Sequence, residues 1–173
     1  GTFAGGVLFY ETNGNYVGHI EYPFAGPWSG YTQGFYARGL AVDESDMLYV
    51  VGGFYGTNDF DFTGATDTKT SVGDMDIAIT KIDLNSQSYV WTKALGSDDY
   101  DWGSWIEYQN GAVYIAGNFR GGSMDMDPGV GVSNETKPVN GYDYLFALKL
   151  DAAGNFLNSL AFGGTINDVT PYA

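Results

Sequence analysis

The chain has 173 residues, room for one compact domain or for two to three small repeat units. Twenty-one acidic against seven basic residues give a net charge of −14, which repels nucleic acid and anionic membrane surfaces. There is no cysteine and a single histidine, which excludes a disulfide scaffold, a thiol nucleophile, a thiolate metal site and any site built on two imidazoles of one chain.

In chain order, the opening GTFAGG carries no basic segment followed by an apolar core, so no signal peptide is read there. No apolar run approaches the about eighteen residues of a membrane-spanning helix. The same six residues resemble GNFRGG at 117–122, so the chain reads as a segment that starts and stops inside a repeat. VLFYETNGNYVG, from residue 7, stands where a later stretch has ALKLDAAGNFLN, with Glu11 in the place of an aspartate. His19 follows it directly and is read as a polar strand residue without catalytic partners.

From residue 47 the repeat is clear. An apolar strand ending Gly-x-Phe occurs as MLYVVGGF at 47–54 and AVYIAGNF at 112–119, 65 residues apart. A short acidic loop follows each, Asp59-Phe60-Asp61 and Asp125-Met126-Asp127. A strand closed by Lys-x-Asp comes next, IAITKID at 77–83 and LFALKLD at 145–151, 68 apart. The frame is then a degenerate first unit at 1–76, a second at 77–144 and a partial third at 145–173.

The middle unit reads as four strands, about 77–82, 89–95, 104–109 and 112–119. Asn110-Gly111 between the last two is a two-residue hairpin signal, since both residues must take positive φ. Residues 55–74 and 120–141 read as long irregular loops. Four short antiparallel strands per repeat describe a propeller blade. The fold expected is therefore all-β, made of β-propeller-like four-stranded antiparallel units, two full and others partial.

The run GNFRGGSMDMDPGVG…NGYDYLFALKLDAAGNFLNSLAFGG resembles the bacterial SBBP family of β-propeller repeats. The resemblance is carried by Asp125, Asp127, Pro128, Gly129, Lys149, Asp151, Gly154, Asn155, Gly163 and Gly164. The middle copy departs from it, with Asn85-Ser86-Gln87 at the turn and no proline after Asp61. The resemblance implies a part of a large secreted or cell-surface bacterial protein, often beside adhesion-type domains, and brings no catalytic residues.

Four aspartates, Asp59, Asp61, Asp125 and Asp127, are paired as Asp-x-Asp in equivalent loops. Two such carboxylates could converge on calcium, with loop carbonyls completing the shell. The competing role is turn capping, in which each carboxylate accepts backbone N–H groups. Asp98, Asp99 and Asp101, and Asp74 with Asp76, form further clusters without a counterpart in each unit. Trp28, Tyr31, Tyr100 and Trp102 lie in or beside turns and could stack on sugar rings, while Trp91 and Trp105 read as core. Asn134-Glu135-Thr136 is a glycosylation sequon in a long loop. No carboxylate pair stands out as a glycosidase pair, and no enzyme is expected.

The expected protein is a non-catalytic, structural or adhesive repeat module, extracellular or at a cell surface. Its partners are other copies of itself or the rest of a longer repeat chain. The alternative is a carbohydrate-binding propeller module.

Overall fold

The computed structural model describes residues 6–21, 34–137 and 143–163. Trp28 and Tyr31 lie outside these residues. Every regular element among the described residues is a β-strand, and every pairing between strands is antiparallel.

The strands are β1 (Gly6–Tyr10), β2 (Tyr16–Glu21), β3 (Gly34–Val42), β4 (Met47–Asp59), β5 (Thr68–Asp83) and β6 (Ser88–Leu95) in the first part of the chain. They continue as β7 (Asp101–Gln109), β8 (Ala112–Phe119), β9 (Ser123–Asp125), β10 (Asn134–Thr136), β11 (Tyr144–Asp151) and β12 (Phe156–Phe162). β3-β4-β5-β6 form one four-stranded meander and β7-β8-β11-β12 a second. β1 and β2 make a separate hairpin, and β9 and β10 a short ribbon. No closed barrel or ring is formed by the described residues.

Local chemistry sets the turns. Asn110 and Gly111 take φ of 51° and 80°, as the tight β7–β8 hairpin requires. At the β3–β4 turn the buried Asp43 carboxylate accepts from the Ser45 and Met47 N–H groups at 2.8 and 3.0 Å, and from the Tyr49 hydroxyl at 3.0 Å.

Two expectations need correction. The sheets run from 34 to 95 and from 101 to 162, so the sequence frame 77–144 takes two strands from each. A periodicity fixes the length of a repeat but not its phase: any four consecutive strands of a meander give the same period. The two long loops also contain paired strands. β4 and β5 run on as a ribbon that pairs Thr57–Asp59 with Thr68–Thr70, and β9–β10 is the same ribbon 66 residues later. Along 68–74 exposed residues alternate with half-buried ones, and most are polar or small, so the stretch shows no apolar alternation.

The hairpin, the first sheet and the second sheet stack in that order. The first sheet has apolar residues on both faces, which explains its nearly continuous apolar strands. Val50, Phe54, Ala78 and Ile82 pack with Val7 and Ile20 of the hairpin. Tyr49, Val51, Ile77 and Ile79 pack with Ile106, Val113, Ile115, Phe146 and Leu148 of the second sheet. Burying a side chain of this size is worth about 1.5–3 kcal/mol, so these two interfaces hold the layers together. The Tyr49 and Tyr108 rings stack across the second interface with centroids 5.7 Å apart.

Candidate functional site

The acidic loops repeat atom for atom. Asp59 Oδ1 accepts from the N–H of Asp61 at 3.1 Å and of Asp67 at 2.9 Å. Asp125 Oδ1 accepts from the N–H of Asp127 at 3.0 Å and of Ser133 at 2.8 Å. Asp61 and Asp127 then cap the next turn, accepting from Thr63 N–H and Gly129 N–H, each at 2.8 Å. The residue between each pair, Phe60 or Met126, is fully buried. The loop is thus an apolar plug held by two capping carboxylates. Among the described residues no group of three or more His, Asp or Glu side chains is arranged to hold a metal ion.

Tyr100 and Trp102 are half-buried beside the junction of the two sheets. The Arg120 guanidinium lies 5.6 Å from the centre of the Tyr100 ring, and that of Arg38 lies 5.8 Å from the Trp102 ring. Tyr55 packs edge-on to Tyr100 at 6.2 Å. One face of Tyr100 and one face of Trp102 are therefore already occupied. Trp91 sits edge-on to Tyr49 at 6.2 Å, near the core, whereas Trp105 lines an outward groove and is not a core residue. His19 is exposed on β2, its Nδ1 2.5 Å from the Tyr16 hydroxyl.

The densest polar chemistry lies where the first sheet passes into the second. Asp101 is fully buried. Its Oδ1 accepts from the Ser97 hydroxyl at 2.7 Å and the Arg120 N–H at 3.0 Å, and its Oδ2 accepts from the Ser97 N–H. The Ser97 hydroxyl oxygen accepts in turn from Gly121 N–H at 3.0 Å. Arg120 pairs with the buried Asp143 at 2.9 Å, and the buried Lys137 ammonium donates to the Arg120 carbonyl. Nearby, Asp76 accepts from the Val72 and Gly73 N–H groups at 2.8 and 3.3 Å. Burial pushes Asp76 and Asp101 each up to about 6, and the charge of Asp76 adds to the effect on Asp101. Burial pushes Lys137 down.

Asp76 and Asp101 belong to the two acidic clusters that lack counterparts in each unit, while Ser97, Arg120, Lys137 and Asp143 carry no repeat signal. A cleft of about 500 Å³ between the two ribbons opens beside this network, lined by Val72, Ser97, Asp98, Ser123 and Thr136. Each of its carboxylates is engaged by a turn or by a neighbouring cation, an arrangement that fixes the sheet junction.

The remaining feature is the outward face of the second sheet. It holds a groove of about 500 Å³ over Trp105, Tyr114, Ala116, Ala147, Lys149 and Leu160. Lys149 lies 5.1 Å from the centre of the Tyr114 ring. In the first sheet Lys81 lies 4.9 Å from Tyr49 in the same way, on the face that the second sheet covers. Comparison with family models and with curated proteins finds no match to this sequence.

Proposed function

We propose that this chain is a non-catalytic structural or adhesive β-repeat module, extracellular or at a cell surface. Its four-stranded units stack in the manner of propeller blades, continued by other copies or by the rest of a longer chain. The observation that carries this reading is the equivalence of the two sheets. Strand order, ribbon, plug-and-cap loop and lysine-over-tyrosine pair all recur from one to the next. Repetition of this kind serves a fold in which each unit buries the face of its neighbour. The net charge of −14 suits a protein that remains soluble with apolar end faces.

The test is particle mass by light scattering at rising protein concentration, with and without chelator, beside a panel of immobilised glycans. A discrete oligomer or a filament, with no glycan retained, supports the reading. A monomer at every concentration that binds glycans overturns it in favour of the carbohydrate-binding alternative. The chelator arm asks whether the loops of Asp59, Asp61, Asp125 and Asp127 hold calcium in addition to capping their turns.

A further inference from the structure

The hairpin β1–β2 and the hairpin β11–β12 are the same module at a constant offset of 140 residues. Leu8 pairs with His19 as Leu148 pairs with Ser159, and Tyr10 pairs with Tyr16 as Leu150 pairs with Phe156. Both have a bulge at the same place, between Phe9 and Tyr10 and between Lys149 and Leu150. Both turns close by the same bond, Gly14 N–H to the Glu11 carbonyl at 2.9 Å and Gly154 N–H to the Asp151 carbonyl at 3.0 Å. Gly14 and Gly154 have φ of 88° and 81°.

The two modules stand at opposite ends of the stack and are covered on opposite sides. On β1–β2 the covered residues are Val7 and Ile20, at 7% and 5% exposure; their equivalents on the last sheet are Ala147, exposed, and Leu160, at 60%. On the last sheet the covered residues are Leu148 and Leu150, at 2% and 0%; their equivalents on β1–β2 are Leu8 and Tyr10, at 61% and 58%. Each end thus exposes the half of an interface that the other end has already formed.

Resting on the repeat-module reading above, we propose that two copies of this chain associate head to tail. The outward face of β1–β2 of one copy seats on the outward face of β11–β12 of the next. The intramolecular interface supplies the pattern of contacts. There Lys81 Nζ donates to the Ala152 carbonyl of the β11–β12 turn at 2.9 Å, and Gly154 lies against Lys93 and Trp91. The equivalent contacts between copies bring Lys149 to the Thr12 carbonyl and Gly14 to Asn158 and Leu160. Gly14 has open space around it now, as this requires. The contact is heterologous, so copies add in one direction, into a ring if the rotation closes and into a filament if it does not.

The experiment is sedimentation velocity on the chain and on two variants, Leu8→Glu and Leu160→Glu, in salt high enough to screen the like charge of the copies. The unaltered chain is expected to form species larger than one copy as concentration rises. Each variant alone is expected to be a single copy. Mixed in equal amounts they are expected to give a species of two copies and nothing larger, because one intact head and one intact tail remain. Both altered residues are exposed, and circular dichroism checks that the fold is kept; a variant that loses it is replaced by Leu8→Ser or Leu160→Ser.

If Leu8→Glu assembles and Leu160→Glu does not, the last sheets pair back to back and the proposal is wrong. If both variants assemble like the unaltered chain, the proposal is wrong while self-association through another surface stands. A single copy at every concentration refutes the head-to-tail contact outright, and the glycan panel then decides the broader reading.

Discussion

The carboxyl of Asp76 fills the space left by the missing side chain of Gly96: a Cβ built on Gly96 would lie 2.1 Å from it. Two sequence-distant residues are thereby locked together at the point where β6 leaves the first sheet. Gly96→Ala is expected to destabilise the protein by about 1–3 kcal/mol, the usual cost of forcing atoms into a packed interior. Urea denaturation with the midpoint compared at constant slope checks it. An unchanged midpoint would show that Asp76 can move aside without loss.

Acid should stabilise this protein before it harms it. Asp76 and Asp101 are pushed from the ordinary carboxylate value of 3.8 up to about 6. A carboxyl with the higher pKa in the folded state binds its proton more tightly there. Its favourable contribution is full below about pH 4 and is lost as pH rises through about 6. Each group is worth at most about 3 kcal/mol across that window. Asp67, Asp83 and Asp151 are shifted down, so they oppose the trend as pH falls through the range below 4. Melting temperature is expected to rise from pH 7.5 toward about pH 5, and the rise should flatten in the Asp76→Asn, Asp101→Asn double variant. A rise of equal size in that variant would assign it to relief of the general negative charge instead.

The two capping loops should answer alike to the same substitution. Asp59→Ala and Asp125→Ala each remove an acceptor shared by two backbone N–H groups, and each is expected to cost about 1–3 kcal/mol. Calorimetry with added calcium and with chelator separates capping from metal binding. Caps alone predict a cost that neither addition changes, whereas a calcium-dependent melting temperature lost in these variants would give the carboxylates a second role.

Asp143 is buried against Arg120, so its removal takes a directly bonded carboxylate from that guanidinium. Asp143→Ala is expected to cost about 3 kcal/mol, toward the lower end for a broken buried pair because Arg120 is about one-third exposed. Chemical denaturation of Asp143→Ala, Arg120→Ala and the double variant closes the cycle. Additive losses would mean that the pair contributes nothing of its own.

Much of the strand layout was legible because apolar runs and turn chemistry agree. Asn110-Gly111 marks its hairpin, and the equivalence of Asp59 with Asp125 marks a loop that the structure repeats bond for bond. Four aspartates in two equivalent turns are compatible in sequence with capping and with calcium, and only the folded chain shows the capping bonds. The phase of the sheets was hidden because a meander looks the same from any starting strand. The ribbon at 68–74 was hidden because Thr68, Thr70 and Val72 are exposed on a strand whose neighbours are also polar or small. The junction network was least legible. Ser97, Asp101, Arg120, Lys137 and Asp143 come from separate elements and follow no period, so only the folded chain brings them together.

The identity of the first hairpin with the last has a consequence for size. If copies associate head to tail as proposed, neither outward face among the described residues distinguishes a last copy from the next. The extent of such a series would then be decided by concentration, by charge and by whatever blocks an end, and a single residue at either face could act as a terminator for the whole series.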